Sequence, residues 1–484
     1  ATAGGEVSES ESESLSYILN GFQLGNMHEP QFAATQANPV NVSESKTRKI
    51  GFLASVNYAY NDIYLFDGSF RLDGSSDFGR DKQFAPFWSV GVGLNVHNYD
   101  FLKGHWLISR LKVRASYGST GNVGFAPYTA ITTFQTATDA WFFTGPAASL
   151  MALGNSRLTW QTTYKLDVGF NIGLLNDKIT LEGSYYRNET EDLIDDVKIP
   201  AYSGFTSYKE NSGSTLNEGF EIAVTSTLFQ NKDWMVTFMA NLSSNRSKIT
   251  ELSEEMNAYN ETILAEYEKE DSEYRDVLSR PLMLYYKGKS LSSIYAVRSE
   301  GIDPANGRER FIKKNGMSTY TWDANDQVVV GDTEPDAKGS FGINVGWKGI
   351  TLNAYFNYQW GGQSYNSTLA DKVENAQIST QNVDKRVLSA RWKNAGDVVP
   401  YYDLSKNPTQ NPTSRFVQDD NRLDFTSLSI GYDFSRQLIS KWKLKSLSVQ
   451  FSANDLCKWR SVKEERAINY PFARSFSFSL NVGF

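Results

Sequence analysis

The 484-residue sequence predicts an all-β protein: a transmembrane antiparallel β-barrel, present in part. Three observations carry that prediction. Apolar residues alternate with polar ones in segments of bilayer-crossing length, the last such segment ends on an aromatic residue, and the connections between segments run short, then long. The last segment, Arg474 to Phe484, reads RSFSFSLNVGF. Successive side chains of a strand point to opposite faces. Phe476, Phe478, Leu480, Val482 and Phe484 therefore form one apolar face, and Ser475, Ser477, Ser479, Asn481 and Gly483 a small polar one. A soluble sandwich strand can alternate in the same way. Length and recurrence separate the two readings, because a tilted strand crosses a bilayer in roughly 9–11 residues and similar segments recur upstream. The five apolar side chains are expected to face lipid.

Taken in order, residues 1–46 are rich in Gly, Ser and Glu and read as an extracellular loop or flexible segment. From Thr47 the alternation begins, and 47–484 reads as barrel. Ile50 to Tyr60 and Tyr64 to Leu72 form a hairpin about Asn61-Asp62, followed by a polar loop from Arg71 to Pro86. Strands around Trp88–Val96 and Leu111–Tyr117 precede a long loop, Ser119 to Ser156. Leu166–Ile172 and Ile179–Tyr185 pair across Leu174 to Lys178, and further strands fall near 217–229, 234–248, 339–348, 350–361, 422–434 and 446–456. The pattern gives about thirteen strands. An outer-membrane barrel has short periplasmic turns and long extracellular loops, so the carboxy-terminus is expected in the periplasm. An odd count cannot close a bacterial barrel of the usual kind. With no leader at its start, the chain is expected to be the carboxy-terminal part of a larger barrel.

Composition narrows the function. A net charge of -7 argues against nucleic acid, and the mean hydropathy of -0.44 excludes a helical membrane protein but suits a barrel. A single cysteine, Cys457, permits no internal disulfide, and three histidines leave little for a zinc site or a catalytic triad. No enzyme, cofactor or metal is expected. Asp323, Asn325 and Glu334 resemble a calcium loop, but Val328 stands where its glycine belongs. Gly118 to Gly124 lacks the Lys-Ser/Thr ending of a phosphate loop and reads as a turn. Glu251 to Asp276 could form an external helix, with a solvated acidic face the simpler reading.

Several runs, in order, resemble the SusC/RagA-type TonB-dependent transporters of Bacteroidetes. They are FRLDGSSDFGRDKQFAPFWSVGVGL, LKVRASYGSTGN, LTWQTTYKLDVGFNIGLLNDKITLEGSYYRNETEDLI, GKSLSSIYAVRSEGIDPANGRERF and GDTEPDAKGSFGINVGWKGITLNAYFNYQWGG. Arg391-Trp392 with Gly396-Asp397, Thr413 to Phe416 (TSRF, where SSRF is usual) and Tyr470-Pro471 keep the same order. Only the stretch Asp455 to Arg466 departs. The resemblance implies a barrel of about twenty-two strands with a plug in its lumen, the plug and TonB box lying in an amino-terminal part that this chain lacks. It also implies import driven through the TonB complex, with a SusD-like surface lipoprotein as lid and lipid or lipopolysaccharide around the wall.

The expected cargo is an oligosaccharide, with a peptide as second choice and a non-transporting platform subunit as the contrasting class. Aromatic residues in the external loops are the candidate contacts to cargo or lid: Trp141, Phe142 and Phe143, Tyr320 and Trp322, and Tyr401 and Tyr402. Tyr58, Tyr60, Tyr355 and Trp360 are expected in the interfacial girdle.

Overall fold

The computed structural model describes residues 1–22, 29–36, 41–79, 82–122, 125, 127–152, 154–198, 207–211, 213–269, 278–376, 378, 382–403, 405, 410–463 and 474–484. One antiparallel sheet of 14 strands dominates it, each strand pairing with its neighbours in chain order. The strands are β1 (Thr2–Ser16), β2 (Asn41–Tyr60), β3 (Tyr64–Ser75), β4 (Phe84–Asn95), β5 (Ile108–Asn122), β6 (Gln161–Leu174) and β7 (Ile179–Glu191). They continue as β8 (Ser214–Gln230), β9 (Trp234–Glu251), β10 (Ala337–Trp347), β11 (Ile350–Trp360), β12 (Arg422–Asp433), β13 (Ser446–Arg460) and β14 (Ser475–Gly483). The sheet is open, with β1 and β14 as its edges.

The expected count of about thirteen misses one strand, β1, which lies inside the segment read as loop. Its register with β2 explains both the strand and the miss. Val7 faces Ile50 and Ala3 faces Ala54, so this end continues the apolar face. Beyond it Glu9 faces Arg48 and Glu11 faces Lys46. Lys46 Nζ lies 2.9 Å from Glu9 and 3.3 Å from Glu11, and Arg48 Nε lies 2.7 Å from Glu9. Opposite charges directly across a ladder support pairing. A Ser-Glu strand that is complementary only to its partner carries no apolar alternation of its own.

The short connections share one rim and bond to one another around it. Asn95 N donates to Ile63 O (2.8 Å), Leu175 N to Leu107 O (2.8 Å), and Thr227 N to Lys178 O (2.7 Å). Lys348 N donates to Asp233 O (3.1 Å) and Asp433 N to Gly349 O (2.8 Å). Three of these turns hold consecutive residues in the left-handed region that tight hairpins require: Asn61 and Asp62 (φ 51° and 55°), Leu175 to Asp177 (φ 55°, 56° and 60°), and Lys348 and Gly349 (φ 46° and 92°). The long loops all leave from the opposite rim.

The two faces of the sheet differ as the alternation requires. One carries exposed apolar side chains, among them Phe52, Val56, Phe66, Val90, Val113, Val168, Phe220, Ile430 and Phe451. Phe341, Phe356 and Phe425 stack across neighbouring strands on this face, with ring centroids 5.0 and 4.4 Å apart. The other face is polar, with Ser69 bonded to Ser89 (2.7 Å), Arg114 beside Asp167 (3.4 Å) and Asn241 donating to Ser340 (2.8 Å). A soluble protein rarely exposes so broad an apolar face. In a bilayer wall it is required.

Four further expectations change. The strands extend past the expected edge of the Arg71–Pro86 loop, because Arg71 and Asp73 lie on the polar face and pair there at 2.5 Å. Gly118 to Asn122 belong to β5 rather than to a turn, and a Cβ at Gly118 would stand 2.5 Å from the Trp88 carbonyl. The loop from Ser119 contains its own hairpin, Thr133–Phe142 with Gly145–Ala152. Tyr355 lies on the polar face in mid-strand, its hydroxyl donating to Asn344 Oδ1 at 2.7 Å, so it is not a girdle residue. Tyr58, Tyr60 and Trp360 are exposed near strand ends.

Candidate binding site between the long loops

Two long connections, 252–336 between β9 and β10 and 361–421 between β11 and β12, fold into a layer beyond the open rim. The first begins with helix α1 (Glu254–Tyr267), capped by Ser253, whose side chain accepts from Met256 N. The acidic segment is thus helical over that range, and Met256, Asn260 and Tyr267 are buried beneath it. Residues 270–276 of that segment lie outside the described residues. Next comes a small four-stranded sheet whose central strand, Ser293–Ile302, buries Ile294, Tyr295, Ala296 and Val297 on both faces. The loops are joined by a parallel bridge between Val297 and Thr413, and by the Trp322 indole donating to Pro412 O at 3.2 Å. Gly307 is required twice over: its φ is +70°, and a Cβ there would lie 2.6 Å from the Trp392 ring.

Between the loops lies a pocket of about 710 Å³. Its aromatic lining includes Tyr320, Trp322 and Phe311 from the first loop and Tyr402 and Phe416 from the second. Tyr320 is exposed, Arg308 lies 4.9 Å over its ring, and its hydroxyl donates to Asp303. That bond, followed by one from the Ala305 backbone N–H, holds Asp303 below the usual carboxylate range.

The pocket floor is a buried charge cluster. Arg415 Nη2 donates to Glu309 Oε2 at 2.7 Å and to Glu374 Oε2 at 2.6 Å, while its Nη1 donates to Pro400 O at 2.6 Å. Glu374 is 1 % exposed, and its other oxygen accepts from Tyr402 N at 3.2 Å. A second cation, Arg391, donates to four carbonyls, those of Val373, Glu374, Tyr402 and Val387, at 2.5 to 3.2 Å. Burial pulls Arg391 down from its ordinary value. Burial acts the same way on Arg415 but is outweighed by Glu309 and Glu374, so Arg415 is raised and stays charged.

Burial pushes the Glu374 carboxyl up to about 7, against the pull of Arg415. A carboxyl raised on folding takes up a proton, so its contribution to stability is complete below its free value of 4.5 and is lost as pH rises through about 7. Hydrogen-exchange protection in 361–376 and 410–421, corrected for the intrinsic pH dependence, is therefore expected to fall between those limits. Glu374→Gln should flatten that dependence.

The structure distributes the expected contact residues unevenly. Tyr320, Trp322 and Tyr402 line one pocket. Tyr401 and Tyr402 are not exposed, with 8 % and 6 % of their surface accessible. Tyr401 packs in a core with Ala370, Val373, Val387 and Phe416, and Tyr402 bonds Asn375 beneath Arg391. Apolar body and hydroxyl partner together drew them inward. Trp141 and Phe143 stand exposed at the tip of the separate hairpin, and the Phe142 side chain lies outside the described residues, as do Tyr470 and Pro471. Phe476, Phe478, Leu480, Val482 and Phe484 are exposed on one face of β14. In the region resembling a calcium loop, Asp323 caps Asn325 N, Asp326 accepts from Lys314 N and Glu334 pairs with Lys338. Glu309, Glu374, Arg391 and Arg415 escaped sequence reasoning as site residues. Arg391 and Arg415 nonetheless stand inside the Arg-Trp and TSRF runs that carry the resemblance.

The family model described as TonB dependent receptor-like, beta-barrel matches residues 12–377. That is well over half of the chain. The chain belongs to this family of outer-membrane barrels. TonB-dependent receptor P3 of Formosa agariphila is 26% identical over 479 residues, covering 91% of this chain and 46% of the relative. TonB-dependent receptor SusC of Bacteroides thetaiotaomicron is 24% identical over 465 residues, covering 90% and 42%. The solved RagAB peptide transporter superposes with a TM-score of 0.79 at 24% identity, over 95% of this chain and 49% of that one. A likeness at that identity speaks for the fold. The chain spans about half the length of the curated relatives it matches. TonB-dependent receptor barrels are receptors and transporters, not a class of enzymes.

Proposed function

We propose that this chain is the carboxy-terminal part of a TonB-dependent importer, and that its pocket captures an oligosaccharide for passage across the outer membrane. The observation that carries the reading is the pocket itself, placed beyond the long-loop rim of a membrane wall and lined by both aromatic rings and hydrogen-bonding groups. Sugars stack on aromatic faces while amides and carboxylates bind their hydroxyls, and Asn375 and Gln410 join Glu309 in the lining. Open edges do not persist in hydrocarbon, so further strands of the same barrel close β1 and β14, and that amino-terminal part, on this or a separate chain, supplies the plug and the contact to TonB. The rim of short turns faces the periplasm. The exposed hairpin at Trp141 and Phe143 suits a SusD-like lid lipoprotein.

A peptide is the second reading. Arg308 and Glu309 place opposite charges side by side in the pocket, and the superposable RagAB is a peptide transporter. Calorimetry on the intact protein with neutral oligosaccharides and with oligopeptides tests the two. Trp322→Ala is expected to weaken sugar binding by roughly ten- to a hundredfold, the loss of about 1.5–3 kcal/mol typical of an aromatic anchor. Unchanged affinity in that variant would remove the pocket from the account.

A further inference from the structure

We propose that the connection 434–445, on the rim of short turns, is a binding site for anionic phospholipid headgroups of the leaflet beside that rim. The inference rests on the membrane-spanning reading of the sheet. Of the other connections on this rim, those at 61–63, 175–178, 231–233 and 348–349 are tight and 96–107 is long, while this one reads FSRQLISKWKLK. It forms a single helical turn, Arg436–Ile439, then a tighter one, Ser440–Trp442, and reverses at Lys443 with φ +59°. It is fixed to the wall: Ile439 is 2 % exposed, Phe434 N donates to Leu447 O (3.0 Å) and Lys445 N to Gly483 O (2.8 Å).

What it displays is a mixture of two chemistries. Arg436, Lys441, Lys443 and Lys445 are all exposed, and among the described residues none of them makes an ion pair. From Phe434 to Asn454 the sequence holds no acidic residue. Interleaved with these cations, Leu438 and Trp442 are 41% and 55% exposed. The segment continues the apolar outer face directly, through Phe434 packed edge-on to Tyr432 at 4.8 Å, with Ile430 and Phe451 beyond. A tryptophan and a leucine at the end of a lipid-facing strand sit in the interface, and long basic side chains beside them reach the phosphate layer. Each cation near an anionic surface favours it by a factor of about five. Charge complementarity and continuity with the lipid belt both select lipid as the occupant.

Trp442 itself is the probe. The protein, purified from its native membrane, is reconstituted in vesicles of phosphatidylcholine and phosphatidylglycerol, with one or the other brominated. Subtracting the emission of Trp442→Phe isolates the quenching of Trp442, and Trp360→Phe does the same for Trp360 on the opposite rim. Brominated phosphatidylglycerol should quench Trp442 roughly twofold or more better than brominated phosphatidylcholine at equal mole fraction, an advantage lost at high salt. The preference should vanish when Arg436, Lys441, Lys443 and Lys445 are all changed to Gln, while Trp442 stays quenched by both lipids. Equal quenching by the two lipids in the unmodified protein would overturn the proposal. So would an unquenched Trp442 beside a quenched Trp360, which leaves the membrane wall intact. If neither tryptophan is quenched, the proposal falls together with the membrane reading itself.

Discussion

Arg415→Ala is expected to unfold the layer between the long loops while leaving the barrel wall in place. In the native protein one guanidinium pairs with both Glu309 and Glu374, with both partners and the arginine at most 11 % exposed. Removing one partner of a buried pair leaves uncompensated charge and typically costs about 3–5 kcal/mol. Here Glu309 and Glu374 both lose their partner, so the cost should be largest above about pH 7, where Glu374 is ionised, and shrink below it as Glu374 protonates. Arg415→Lys should recover only part of it, because an ammonium cannot reproduce contacts to Glu309, Glu374 and Pro400 from one planar fork. Glu374→Gln on the Arg415→Ala background should restore some of the loss. Hydrogen exchange resolves the layer from the wall: protection in 293–302 and 361–421 should fall, and protection in β8 and β9 should not. Uniform loss, or none, would refute a local role for the cluster.

Phe478→Arg is expected to block membrane folding, whereas Ser477→Arg and Ser479→Arg one residue away should be tolerated. Phe478 is 72% exposed in the middle of β14 and faces Phe451 on β13. A cation on the lipid face near the midplane costs about 2–4 kcal/mol and little or nothing on the lumen side. Heat-modifiable migration of the assembled barrel reports the outcome directly. Equal tolerance at all three positions would mean that the exposed apolar face does not meet lipid.

How much of this was legible in the sequence differs between wall and loops. The wall was readable because lipid on one side and water on the other write a period of two into every strand, and Lys348-Gly349 and Asn61-Asp62 mark reversals by turn chemistry. Strand β1 was not readable, since its Glu-Ser pattern acquires meaning only opposite Arg48 and Lys46. Tyr355 was misplaced because a tyrosine can satisfy either face, and Asn344 supplied the partner inside. In the loops, composition located Tyr320 and Trp322 but could not separate them from Tyr401 and Tyr402. That distinction depends on which rings pack on Val373 and Val387, a long-range matter. The Glu309–Arg415–Glu374 cluster joins residues 106 and 41 positions apart. No local spacing announces it.

The most direct test of the account is uptake by whole cells. A strain lacking the gene should fail to accumulate a labelled oligosaccharide that the parent takes up. The wild-type gene should restore uptake, Trp322→Ala should not, and a protonophore should abolish it. Oligosaccharide uptake that is indifferent to the deletion, or a deletion that stops oligopeptide uptake instead, would contradict the cargo assignment. Uptake that survives the protonophore would contradict energised import.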